Sequence, residues 1–276
     1  MSGPSRFRLR WFPPATRGPW ALPSDPQLLR VFLLMGQSNM AGFGCVRPDD
    51  PWQPGDHHPA PGVLVLGGQS TLKSPRPRGR TCWRPAVHPL HLNQKSAAFG
   101  LGLPFALRLW QEMPDCMIGL IPCAWGGAPI DHLGTDSALY ANAVRRARFA
   151  ARSGTLAGVL WHQGETDADS ESAAPAHAGK LSALMAGLRR DLSTPQLPFL
   201  IGDLGDFADE RRKPAAVQRR NIVRSGLRRI AAEDPHAAFV ESAGLPGVDM
   251  VHFGRDALVE FGNRYATAYL GLVPVI

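Results

Sequence analysis

The residues able to do chemistry fall in four short blocks. Gly36-Gln37-Ser38-Asn39-Met40-Ala41-Gly42 places a serine in a tight turn directly after an apolar run. Glycine permits the sharp bend, and the first turn of a helix favours negative charge, so the Ser38 hydroxyl is a candidate nucleophile. The block lacks the Gly-x-Ser-x-Gly spacing of a nucleophile elbow, and taken alone Ser38 fits a helix N-cap better. Pro122-Cys123-Ala124-Trp125-Gly126-Gly127-Ala128 carries paired glycines whose backbone N–H groups can approach a ligand closely, as an oxyanion hole requires. A plain strand-to-loop turn explains them equally well. Cys123 has no neighbour in sequence that would lower its pKa.

The third block is Trp161-His162-Gln163-Gly164-Glu165-Thr166-Asp167. Its polar side chains follow an apolar run and must be paired if buried. Gln163 supplies an amide able to reach an oxyanion. Glu165 and Asp167 are candidate acids, and Glu165 could also orient a histidine, but a structural role as acceptors fits both better. The fourth block is Asp249-Met250-Val251-His252. Spacing of three in a turn lets the carboxylate accept from Nδ1–H and leaves Nε2 as a base. A surface turn without a partner is the bland alternative. His57, His58, His88 and His91 lie in loops, and their spacing lacks the Cys or H-E-x-x-H context of a metal site. No metal or cofactor is expected.

These blocks need a scaffold that brings distant strand ends together. Apolar runs at 30–35, 117–121, 156–161, 199–201 and 238–240 read as buried parallel strands, with 63–66 as a further short candidate. Helical patterns at 97–111, 140–151, 173–192, 215–232 and 256–270 alternate with them. The alternation predicts an open parallel α/β sheet, in which ligands sit beyond the carboxyl ends of the strands. Residues 1–28 are Pro-rich and aperiodic and read as an extension; 29–276 read as one domain.

Composition narrows the classes. The chain has 276 residues with 44 % hydrophobic content, enough for an unstapled core. Cys45, Cys82, Cys116 and Cys123 show no CxxC pair, which argues against a zinc or disulfide framework. No apolar run approaches the ~18 residues of a membrane span. Basic Arg6, Arg8, Arg10 and Arg17 precede no apolar stretch, so no secretory signal is read and a cytoplasmic location is expected. Net charge is +7, but the arginines are dispersed. Arg220, Arg224 and Arg228 read as a solvated helix stripe, and no nucleic-acid partner is expected.

Each block is weak alone; their order and spacing are not. Over about residues 30–270 the sequence resembles the sialate O-acetylesterase-like carbohydrate acetylesterases, a branch of the SGNH-hydrolase superfamily. The resemblance implies a three-layer α/β/α, flavodoxin-like fold with a five-stranded parallel sheet. It implies Ser38 as nucleophile, His252 as base and Asp249 as its orienter, with Glu165 as a possible supporting carboxylate. It implies oxyanion donors at Ser38 N–H, Gly127 N–H and the Gln163 amide. The implied substrate is an acetylated saccharide, with Trp52 and Trp83 in the long loops as candidate sugar-stacking residues. Ala128 stands where the branch often has Thr, which leaves a hydroxyl near the oxyanion loop unaccounted for. The alternatives are a general small-acyl esterase on non-sugar esters and a catalytically inactive carbohydrate-binding module.

Overall fold

The computed structural model describes residues 20–43, 51–71, 74–78, 80–94 and 96–273. Cys45 and the arginines at 6, 8, 10 and 17 lie outside these residues. The strands are β1 (Leu29–Gly36), β2 (Val63–Leu66), β3 (Gln69–Thr71), β4 (Ser74–Arg78), β5 (Trp83–Pro85), β6 (Met117–Pro122), β7 (Thr155–His162), β8 (Phe199–Gly202) and β9 (Ala237–Val240). The helices are α1 (Ser38–Ala41), α2 (Gly102–Glu112), α3 (Ala138–Ala150), α4 (Glu165–Ala168), α5 (Ala173–Asp191), α6 (Pro214–Glu233) and α7 (Arg255–Leu272).

Continuous apolar runs form the strands because both faces of a parallel sheet are covered. Along β1, Val31, Leu33 and Met35 join one core, while Phe32 and Leu34 join the other. The first core meets α3, α5 and α6 through residues such as Ala143, Leu181 and Leu227. The second meets α2 and α7 through Phe105 and Phe261. The result is the expected three-layer α/β/α arrangement.

The main sheet runs β5-β2-β6-β1-β7-β8-β9. It has seven strands, not the five expected: β2 joins parallel to β6, and β5 adds an antiparallel edge against β2. The β5 strand escapes a periodicity reading because it is three residues long within a Pro/Arg-rich loop. The β3–β4 pair forms a separate two-stranded sheet. Helix α2 starts at Gly102 rather than 97, because Ala97 and Ala98 instead bond back to Phe43 and Gly42 beside α1.

The order β6-β1-β7 at the centre puts the first three blocks side by side, since each directly follows one of these strands. Backbone bonds then stitch them together: Gln37 N–H donates to His162 O at 2.9 Å, and Trp125 N–H donates to Gly36 O at 2.9 Å. Gly36 is required here. Its φ is +134°, and a Cβ would lie 2.0 Å from His162 O.

The arginine stripe of α6 is not a free solvated face. Arg224 donates to both oxygens of fully buried Asp203 at 2.9 and 2.8 Å, Arg228 pairs with Glu241, and Arg220 lies 3.2 Å from Asp209. The cause is topological: Asp203 and Glu241 emerge directly after β8 and β9, under the stripe.

Candidate active site

Ser38 is the first residue of α1, and Gln37 occupies the N-cap position, so the N-cap reading of Ser38 does not hold. Ser38 is 4 % exposed, and its Oγ makes no hydrogen bond to a described residue. Its backbone N–H, at the start of a helix, likewise has no acceptor among the described residues, and neither has that of Gly127. Gly127 has φ +68° in open space, with nothing near its missing Cβ. That backbone leaves its amide clear at the end of the β6 loop.

The fourth block forms as expected. Asp249 Oδ2 accepts from His252 Nδ1 at 2.9 Å, and Asp249 Oδ1 accepts from the N–H groups of Val251 and His252, both at 2.7 Å. Burial alone would raise the Asp249 carboxyl, but these bonds outweigh it and hold the pKa at about 2. An ionised carboxylate therefore fixes the proton on Nδ1. His252 Nε2 makes no hydrogen bond to a described residue, and it is not bonded to Ser38 Oγ.

Asn39, unassigned in the sequence reading, connects this block to the serine. Its Nδ2 donates to Val251 O at 3.0 Å and to Glu165 Oε1 at 2.7 Å, and its Oδ1 accepts from Phe253 N–H at 3.1 Å. The side chain next to Ser38 thus grips the backbone on both sides of His252. Glu165 is 3 % exposed and lies 3.5 Å from His162 Nδ1. Its contacts are with Asn39 and His162, which makes it a support for the clamp.

Gln163, expected as an oxyanion donor, is committed elsewhere. It is fully buried; its Nε2 donates to Ala128 O at 3.1 Å and to Asp167 Oδ2, and its Oε1 meets His177 Nε2 at 2.8 Å. Both amide hydrogens are used, and none is left for an oxyanion. Asp167 is structural as expected, also accepting from Ile130 N–H at 3.0 Å. A second amide, Gln37, stands directly before Ser38 and was not singled out in the sequence. Its Oε1 accepts from the N–H groups of Gly164 and Thr166, each at 3.4 Å, and its Nε2 has no acceptor among the described residues. Thr166 also donates its hydroxyl to Gly127 O at 3.3 Å, so a hydroxyl does serve the loop that carries Ala128.

Cys123 is buried, and burial raises its pKa despite Arg146 Nη1 at 3.5 Å; it remains a thiol. Trp83 cannot stack on a sugar: it is 5 % exposed in the core and donates to Ser153 Oγ at 2.9 Å. Trp52 is partly exposed, with its ring 4.3 Å from that of His57. It borders His88 and Phe99, and the Phe99 carbonyl packs on Gly42 just after α1. His91 Nε2 accepts from Ala124 N–H at 3.2 Å and braces the β6 loop.

Comparison with known proteins gives a consistent result. The family described as "Carbohydrate esterase, sialic acid-specific acetylesterase" matches residues 28–271. The "Probable carbohydrate esterase At4g34215" of Arabidopsis thaliana is 31 % identical over 258 residues, spanning 87 % of this chain and 90 % of that protein. The crystal structure of that Arabidopsis protein superposes with a TM-score of 0.74 at 28 % identity, covering 89 % of this chain and 99 % of the other. NanS superposes with a TM-score of 0.68 at 20 % identity, covering 89 % and 98 %. XAC1771 of Xanthomonas citri, described as a carbohydrate acetylesterase, gives 0.65 at 19 %, covering 88 % of this chain and 56 % of that one. The latter two show the shared fold alone. With most of its length matched, the chain belongs to the sialic acid-specific acetylesterase family of carbohydrate esterases.

Proposed function

We propose that the protein is a serine esterase that removes O-acetyl groups from carbohydrates through an acetyl-enzyme. The observation that carries this reading is the Asp249–His252 pair, held by Asn39 against the turn that bears an uncommitted Ser38 hydroxyl. Asp249 keeps the proton on Nδ1 and leaves Nε2 as base. Ser38 Oγ attacks the acetyl carbonyl carbon while its proton passes to Nε2, which closes on Oγ as substrate binds. The oxyanion accepts from the free N–H groups of Ser38 and Gly127 and from Gln37 Nε2, which takes the place first expected for Gln163. The carbon–oxygen bond to the sugar breaks, and the sugar oxygen leaves with the proton from His252. Water, deprotonated by the same nitrogen, then releases acetate and restores Ser38.

The leaving group is a saccharide hydroxyl. The family points to this class, and partly exposed Trp52 offers an aromatic face beside α1 for a sugar ring. A serine-directed fluorophosphonate should label the protein, and Ser38→Ala should lose both labelling and p-nitrophenyl acetate turnover with an unchanged melting temperature. A variant that keeps most turnover overturns the assignment, and a parent protein that never labels points to a binding module. Faster turnover of longer-chain, non-sugar esters than of acetylated saccharides favours a general esterase.

A further inference from the structure

The span that separates the two side chains of the fourth block is gripped from two elements. Between Asp249 and His252 stand only Met250 and Val251. The Val251 carbonyl is held by Asn39 of α1. The Met250 carbonyl is held by Arg212 Nη2, and the Asp249 carbonyl accepts from Arg211 Nη2 at 3.4 Å. Arg211 ends a short 3-10 turn, Asp209–Arg211, in the segment between β8 and α6, outside all four sequence blocks.

Arg212 is itself paired with a carboxylate. Its side chain is 10 % exposed, and its Nε lies 3.7 Å from Asp209 Oδ1. The same carboxylate oxygen lies 3.2 Å from Nε of Arg220, which is 2 % exposed and donates to Gly205 O. Two arginines held against one mostly buried carboxylate are an expensive way to support one carbonyl unless the position of that carbonyl matters. The rest of the loop is closed at its base, where Val248 N–H donates to His252 O at 2.8 Å and Gly247 bridges Phe253.

We propose that Arg212 is a positioning residue for the esterase reaction: its bond to the Met250 carbonyl, opposed by that of Asn39 to Val251, sets where His252 Nε2 stands relative to Ser38 Oγ. The proposal rests on the Ser38–His252–Asp249 reading. Arg212 touches no reacting atom. It acts by limiting the excursions of a loop whose Met250 side chain is 36 % exposed. A displacement of about 1 Å at a catalytic group costs on the order of a hundredfold in rate.

The test compares Arg212→Ala, Arg212→Lys, Arg211→Ala and Ser38→Ala on p-nitrophenyl acetate, with kcat, KM, melting temperature and fluorophosphonate labelling rate measured on each. Arg212→Ala should lower kcat and labelling rate in parallel by roughly ten- to a hundredfold, with KM within about twofold. Arg212→Lys, which keeps the cation beside Asp209, should keep the melting temperature and recover part of kcat. Arg211→Ala, which loses the longer contact, should have the smaller effect. If Arg212→Ala does not fold, Arg212→Met, which keeps most of the apolar stem but loses every donor, decides by the same criterion. A kcat within twofold of the parent, or a lower melting temperature with unchanged kcat per labelled site, overturns the proposal. An inactive Ser38→Ala beside a fully active Arg212→Ala removes the positioning role of Arg212 alone; an active Ser38→Ala removes the triad reading with it.

Discussion

Two amides of the same residue type, Gln37 and Gln163, have opposite surroundings, and the proposed mechanism gives them different roles. Gln163 uses both hydrogens on Ala128 O and Asp167 and its oxygen on His177, all buried. Among the described residues, Gln37 uses only its oxygen. Gln163→Ala should therefore act on stability: leaving buried polar partners unsatisfied costs about 1–3 kcal/mol per group, which predicts a loss of about 5–10 °C in melting temperature. Gln37→Ala should act on catalysis, with kcat down about a hundredfold and KM little changed, as for one lost oxyanion donor. Thermal melts and steady-state kinetics on the pair check both. The reverse pattern would return the donor role to Gln163. Sequence alone could not separate the two, because a side chain's spare hydrogen is fixed by acceptors from distant segments. The Asp249–His252 pair was legible because its partners are local, three residues apart.

At the scale of elements, the site exists because Gly36 lets β1 and β7 end in contact. A methyl group there meets His162 O at 2.0 Å, and φ +134° disfavours any L side chain. Gly36→Ala should cost about 3 kcal/mol or more and separate the Ser38 turn from the third block, so that even folded protein labels slowly with fluorophosphonate. Parental stability and labelling would show that the two strand ends are not held as described. The parallel strands and long helices were readable because burial on both faces writes a continuous apolar run, and an amphipathic helix writes its own period. The Trp83–Pro85 edge strand was not, since three residues carry no period, and its tryptophan, expected to face a sugar, is instead packed over Gly119. The partners of the α6 arginines were equally hidden, because Asp203 and Glu241 reach them only through the order of β8 and β9.

For the molecule as a whole, the scaffold around the site is built with neutral imidazoles, and this sets its response to acid. Burial pushes His88 and His91 down to about 3 and His177 down to about 4. Each supports a different wall: His88 stacks on Phe99 at 4.1 Å, His91 braces the β6 loop, and His177 backs Gln163. An unfolded histidine titrates at ~6.5. Between that pH and about 4 the unfolded chain takes up protons that these folded histidines refuse. Stability is therefore fully present above ~6.5 and falls as the pH drops, by up to about 1.4 kcal/mol per pH unit for each histidine. Asp249 loses its contribution only in a lower window, between ~4 for the unfolded carboxyl and about 2 for the folded one. Urea unfolding at pH 7.5, 6 and 5 should show the earlier decline. His88→Phe should flatten it by up to about 1.4 kcal/mol per pH unit, because neither ring nitrogen of His88 makes a hydrogen bond to a described residue and a phenyl ring keeps the stacking. An unchanged slope would mean that His88 takes up its proton within the folded protein, and that the Trp52–His88–Phe99 wall beside α1 opens to water in mild acid.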